Sequence, residues 1–254
     1  MPKMNKLIIV VLLCCQIFFF SCTNTPWHKE QAEMFLNKGI SLIEIGQYNN
    51  ALKELLEAEK YSSGDPKIHY YLGMAYLGKG MRGKALDEFK EAISLKENYS
   101  EAHNYLGVLY MDTELWDKAL EEFDKALAND MYDTPSYALY NSGLVYYNKK
   151  DYQQAINKYQ QALQKDPRTI WRPQIEKNIG LIYLAQSNLS EAIRQFKTAV
   201  ELSPSLYDAQ LFLGESYLKI KDKNSAKKAF QAVVKYSPDS AYGKKAKEYL
   251  QSIK

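Results

Sequence analysis

The chain has 254 residues, 46% of them hydrophobic and 25% charged, and 33 Lys and Arg stand against 30 Asp and Glu. That mixture excludes disorder, a collagen repeat and a disulfide scaffold, and a total charge so close to zero argues against nucleic acid as a partner. The cysteines are Cys14, Cys15 and Cys22 and the histidines His28, His69 and His103. No disulfide or thiolate metal centre can therefore form beyond residue 22, and no poly-histidine catalyst can be assembled.

The chain opens with Lys3 and Lys6 and no acid, followed by Leu7 to Phe20, apolar apart from Gln16. This run is too short for the roughly 20 apolar residues that span a bilayer. A basic start, a short apolar run and a small residue at the break make a secretory signal peptide. The break, Ser21-Cys22, resembles the lipobox of bacterial lipoproteins, in which the cysteine thiol accepts diacylglycerol and cleavage falls just before it. Phe19 stands where that family prefers Leu. The resemblance implies a signal peptide over 1–21, lipid on Cys22 and a tether over 22–31. Thr23, where an Asp would signal retention, implies the periplasmic face of the outer membrane in a host with two membranes. Two or three acyl chains would anchor the protein stably, where one would hold it only reversibly.

Beyond the tether one pattern recurs. Glycines stand at Gly39, Gly73, Gly107, Gly143, Gly180 and Gly214, and alanines keep step at Ala51, Ala85, Ala119, Ala155, Ala192 and Ala226. Four residues after each alanine comes Leu55, Phe89, Phe123, Tyr159, Phe196 or Phe230, and three after each glycine comes Leu42, Tyr76, Tyr110, Tyr146, Tyr183 or Tyr217. A second small residue follows at Ala58, Ala92, Ala126, Ala162 and Ala199, with Val233 in the last copy. Within a copy, Leu72 and Tyr76 keep helical spacing, as do Leu106 and Tyr110.

This pattern resembles the tetratricopeptide repeat, over residues 32–240. The resemblance implies an all-α fold, a right-handed superhelical solenoid of six helix-turn-helix repeats. Their approximate bounds are 32–65, 66–99, 100–133, 136–169, 173–206 and 207–238, with a capping helix over 239–254. A lone repeat cannot bury its apolar face, so the copies must stack. Gly or Ala is needed where two helix backbones cross closely, and the aromatic after each glycine fills the space between neighbours. Asp65-Pro66 and Thr134-Pro135 each place a capping side chain before a proline at the first helical position. Extra residues around Tyr132 to Pro135 and Ile170 to Arg172 interrupt the spacing, and the second set offers Trp171 as an exposed aromatic.

Two motifs invite a chemical reading and fail it. Gly78-Lys79-Gly80-Met81-Arg82-Gly83-Lys84 matches G-x-G-x-x-G, but a phosphate cradle needs a strand before it, and Ala85 stands where a P-loop needs a hydroxyl. His69 and His103 occupy the same position of consecutive repeats, which is a packing position. With no Ser-His-Asp or Cys-His set, the chain reads as a non-enzyme without cofactor, metal or small-molecule substrate.

The tetratricopeptide resemblance implies a concave face lined by the first helix of each repeat, with side chains three before, one after and four after each glycine. The candidate binding groove is Leu36, Ile40, Tyr70, Met74, Leu77, Asn104, Val108, Met111, Tyr140, Leu144, Tyr147, Leu181, Leu184 and Leu211. Ile43, Lys177, Glu215 and Leu218 complete the same positions. The Lys and Asn clamp with which the chaperone-binding branch holds a terminal carboxylate is absent from the first two repeats. An apolar groove of this kind suits the apolar face of an amphipathic protein segment, and Met74 and Met111 add adaptability. Charge is uneven: residues 86–130 hold 12 acids and 4 Lys, and residues 219–254 hold 10 Lys and 3 acids.

Lipobox, repeat number and the run Tyr132, Pro135, Ala138, Asn141, Gly143 together resemble the pilotins of type IV pili. These lipoproteins escort the secretin to the outer membrane and promote its assembly. The resemblance implies a secretin-like partner and membrane attachment through the lipid. The alternative is an envelope scaffold that docks peptidoglycan enzymes or another outer-membrane assembly machine. Palmitate labelling should mark wild-type protein, and Cys22→Ala should yield unlabelled precursor or a soluble product. Normal envelope retention of an unlabelled Cys22→Ala variant would refute the lipobox reading.

Overall fold

A computed structural model describes residues 25–253, so Cys22 and the signal-peptide stretch lie outside the described residues. Thirteen α-helices and no strand occupy the described residues. They divide between Asp130 and Met131 into two compact units. In the first, α1 (Pro26–Glu44) pairs with α2 (Tyr48–Tyr61), α3 (Pro66–Gly78) with α4 (Arg82–Leu95), and α5 (Ser100–Asp112) with α6 (Trp116–Leu127). In the second, α7 (Pro135–Asn148) pairs with α8 (Tyr152–Lys165), α9 (Arg172–Ala185) with α10 (Leu189–Leu202), and α11 (Tyr207–Lys219) with α12 (Lys223–Tyr236). Each unit is a tandem stack of helix hairpins, and α13 (Ala241–Ser252) packs on α12.

Every hairpin is locked at the same place. A Cβ added to Gly39, Gly73, Gly107, Gly143, Gly180 or Gly214 would lie 2.4 to 2.7 Å from a side-chain carbon of Leu55, Phe89, Phe123, Tyr159, Phe196 or Phe230 respectively. The glycine therefore makes room for a side chain of the second helix, in most copies an aromatic ring, rather than for a second backbone. All six of those side chains are fully buried, as are the alanines at both small-residue positions. Half-buried Tyr76 packs against the cores of both the first and the second hairpin, and Tyr217 against those of the fifth and sixth, as expected of residues that fill the space between neighbours.

The turn inside each hairpin is equally regular. Gly80 N–H donates to Leu77 O and Met81 N–H to Tyr76 O, the paired bonds of a Schellman ending. The same pair recurs at Gly46, Glu114, Lys150, Ser187 and Lys221. All six positions have positive φ, between 58° and 74°, yet only Gly46 and Gly80 are glycine. Gly80 thus ends a helix, and the Tyr48 ring lies against Gly78, so G-x-G-x-x-G is a helix ending with no cradle.

Three local details depart from the sequence reading. Helix α1 starts at Pro26, inside the stretch assigned to the tether, because Thr25 accepts from His28 N–H and the Trp27 ring lies edge-on to Tyr61 at 5.6 Å. Asp65 caps α3 by accepting from Lys67 N–H at 2.9 Å, but the Thr134 side chain makes no cap bond at α7. Trp171 is half-buried and stacked on Tyr140, not free at the surface.

Gly107→Ala should force the Phe123 ring to move and lower stability by about 1–3 kcal/mol. Gly83→Ala, in α4 with nothing within 4 Å of the added carbon, should raise it by about 0.4–1 kcal/mol. Chemical denaturation of the two variants tests the lock, which predicts effects of opposite sign.

Candidate protein-binding surface

Residues at i, i+4 and i+7 share one face of a helix, so each first helix presents three groove positions together. In the first unit Ile40 and Ile43 of α1, Met74 and Leu77 of α3, and Val108 and Met111 of α5 are half-buried, and none of them carries a charge. Ile40 and Ile43 rest on a core that includes Leu36 and Leu72, and Met74 and Leu77 on one that includes Leu106 and Leu109. In the second unit Leu144, Tyr147, Leu181, Leu184 and Leu218 are half-buried in the same way.

The remaining position, three before each glycine, behaves differently. Leu36, Asn104, Tyr140 and Leu211 are buried, so they support the surface more than they offer it. Tyr140 is only 8% exposed, with Trp171 stacked at 5.0 Å and Tyr159 at 6.1 Å. Tyr70 is half-buried among the rings of Tyr71, Phe89, Tyr99 and Tyr105, at 4.9 to 6.0 Å. Burial pushes the Tyr70 phenol well above its ordinary range. Lys177 and Glu215, the two charges in the second unit's stripe, are neutralised locally: Lys177 by Asp208 at 2.8 Å and Glu215 by Lys245 at 2.6 Å. Tyr249 also donates to Glu215.

Sequence reasoning placed His69 and His103 among packing residues and missed their partners. His69 Nδ1 meets Glu88 Oε2 at 2.9 Å and its Nε2 meets Ser63 O at 3.0 Å. His103 repeats this with Glu122 at 2.6 Å and Glu97 O at 2.8 Å. Glu88 and Glu122, directly before buried Phe89 and Phe123, were the available signal. In the fifth repeat the same two positions hold Glu176 and Gln195, whose amide, oriented to donate, reaches Glu176 Oε2 at 2.6 Å. These pairs lie inside hairpins and have the geometry of buried polar ties. A cleft of about 900 Å³ beside His103, bordered by Glu97, Lys125 and Asn129, mixes both charges, and Lys125 is already bound to Glu121 and Glu122.

No group of three His, Cys, Asp or Glu among the described residues is placed to hold a metal ion. No described helix is long and apolar enough to cross a membrane.

Sequence profiles bear on this architecture directly. Those of the tetratricopeptide repeat match residues 66–99, 100–133 and 136–169, and residues 183–248, while a TPR repeat profile matches 39–80. The chain belongs to the tetratricopeptide-repeat family. It is 30% identical over 122 residues to the chloroplastic tetratricopeptide repeat domain-containing protein PYG7 of Arabidopsis thaliana. That match spans 47% of this chain and 40% of the relative, well under two thirds of its length. PilF of Pseudomonas aeruginosa shares the fold with a TM-score of 0.77 at 14% identity, over 87% of this chain and 98% of its own. PilW, a widely conserved type IV pilus biogenesis factor, does so with a TM-score of 0.74 at 20% identity, over 84% and 97%. At these identities the likeness is one of fold. Tetratricopeptide repeats are protein-interaction modules.

The His69–Glu88 tie has a pH signature. The hydrogen bond to Glu88 raises the His69 pKa from 6.5 to about 9, against the opposing effect of burial. A raised folded-state pKa stabilises the fold fully below about 6.5, and that contribution is lost as pH climbs through about 9. Wild-type unfolding free energy should therefore decline across this window, and His69→Gln should flatten the decline in pH-resolved denaturation.

Proposed function

We propose that this chain is a lipid-anchored pilotin that binds an amphipathic segment of a secretin-like protein and promotes its assembly at the outer membrane. The observation that carries the reading is the stripe of Ile40, Ile43, Met74, Leu77, Val108 and Met111, apolar and half-buried on the first helices of three successive hairpins. An apolar surface of this kind suits the apolar face of a partner helix, whose anchors would repeat at helical spacing. The absence of a cation at the stripe positions of the first two hairpins argues against capture of a terminal carboxylate. The lipobox at Cys22 adds the anchor, and the fold shared with a type IV pilus biogenesis factor is consistent with the role.

Buried anchors in such interfaces typically contribute about 2 kcal/mol or more each, roughly thirtyfold in affinity. The test is Met74→Gln combined with Met111→Gln, which keeps side-chain length while removing the apolar contact. The variant should keep wild-type helical circular dichroism and melting, lose secretin binding and leave detergent-labile secretin monomers in cells. Tyr140→Ala is a poor substitute, because Tyr140 supports Trp171 and Tyr159. Normal secretin rings in the double variant, with peptidoglycan enzymes captured by the wild type, would move the assignment to an envelope scaffold.

A further inference from the structure

The second helices of the hairpins share one role, yet α12 carries the densest positive charge among them: α8 also lacks acids, but holds only Lys158 and Lys165. Helices α2, α4, α6 and α10 interleave acids with basic residues along their exposed sides. Several of these are ion-paired, as Lys60 with Glu57, Lys125 with Glu121 and Arg194 with Glu191. Helix α12 has Lys223, Lys227, Lys228 and Lys235, all exposed, and no acid. At about 100° per residue these four lysines fall within an arc of about 140°, opposite buried Ala226, Ala229, Phe230 and Val233. None of the four is within 4 Å of a described carboxylate oxygen; the nearby Asp222 carboxylate accepts from Ser225 N–H at 3.0 Å as the helix cap and feels the charge of Lys228.

The surroundings extend the pattern. Before α12, Lys219 at the end of α11 and Lys221 in the turn are exposed on either side of Ile220, itself 49% exposed. At its other end Tyr236 is 42% exposed, with the Lys235 ammonium 5.2 Å from its ring, and Tyr242 is 37% exposed. Helix α13 adds exposed Lys244 and Lys247, whereas Lys245 is held by Glu215.

We propose that the lysine face of α12, with its flanking Ile220, Tyr236 and Tyr242, docks on an anionic phospholipid bilayer. Two features favour lipid over an acidic protein. All ten basic residues of 219–254 are Lys and none is Arg. Protein interfaces enrich Arg and are depleted of Lys, whereas lysine clusters suit the diffuse charge of a lipid surface. Tyrosines and a lone aliphatic side chain among the lysines match the half-apolar headgroup zone, where a ring can bury its body and keep its hydroxyl wet. The inference stands on this charge pattern and is independent of which protein fills the apolar stripe.

The test is amine acetylation of the full-length protein, read residue by residue by mass spectrometry, on phosphatidylcholine vesicles with and without phosphatidylglycerol. Lys223, Lys227, Lys228 and Lys235 should label on the order of fivefold more slowly when phosphatidylglycerol is present. Lys53 and Lys90 should label equally on both vesicles. Raising salt to about 1 M, where the Debye length is about 3 Å, should abolish the protection. Lys227→Gln with Lys228→Gln and Lys235→Gln changes only solvated side chains, and should leave Lys223 labelling as fast as on phosphatidylcholine alone. Equal labelling on the two vesicles, or continued protection of Lys223 in the triple variant, overturns the proposal. Protection by soluble polyglutamate but not by vesicles overturns it in favour of an acidic protein.

Discussion

The contact between a glycine on the first helix of each hairpin and a bulky side chain on the second sets everything that follows. Phe123 lies so close to Gly107 that no side chain can be added between them, and five other hairpins repeat the arrangement. An aromatic ring buries on the order of 150–250 Å², so one such contact fixes both the separation of the two helices and their rotation about their own axes. Rotation decides which side chains reach the surface. Once Gly73 faces inward on Phe89, Met74 and Leu77 project about 100° and 40° round the helix from it, and they emerge half-buried at the edge of the packed face.

The strength of that lock shows in the turns it overrules. The residue that ends the first helix of each pair must enter the left-handed region, which Gly tolerates and other residues resist by roughly 1–2 kcal/mol. Glu114, Lys150, Ser187 and Lys221 take that conformation all the same. Their local preference yields because the two bonds of the Schellman ending and the packing of both helices require the chain to reverse there. Gly46 and Gly80, by contrast, satisfy both demands at once.

Polar residues vary where this framework allows. The position four before the glycine holds half-buried Phe35 in the first copy and then His69, His103, Leu139, Glu176 and Gln210, all five buried. Where it is polar and ionisable, a partner on the second helix meets it: Glu88, Glu122 or Gln195. Burial would raise the Glu122 pKa, but hydrogen bonds from His103 and Lys125 outweigh it and hold the carboxyl below its usual value. The two units thereby acquire different surfaces on a common frame. The first carries an uncharged apolar stripe, and the second breaks its stripe with Lys177 and Glu215, each neutralised by a neighbour.

The helices and the repeat columns could be read directly from the residues, because the spacing within one repeat sets them, whereas that each glycine faces a side chain and not a second backbone came from the packing. The distance from Gly73 to Phe89 along the chain is the same as from Gly107 to Phe123, so the spacing carries the geometry. Which groove residues stay open could not be read in that way. Tyr70 and Tyr140 occupy equivalent positions, but Tyr140 is closed off by Trp171, which an insertion brings over it from the next hairpin. The partners of His69 and His103, the early start of α1 against Tyr61 and the local neutralisation of Lys177 likewise depend on elements packed alongside. A residue's spacing says which way it points from its own helix; its exposure depends on what the neighbouring helix puts in front of it.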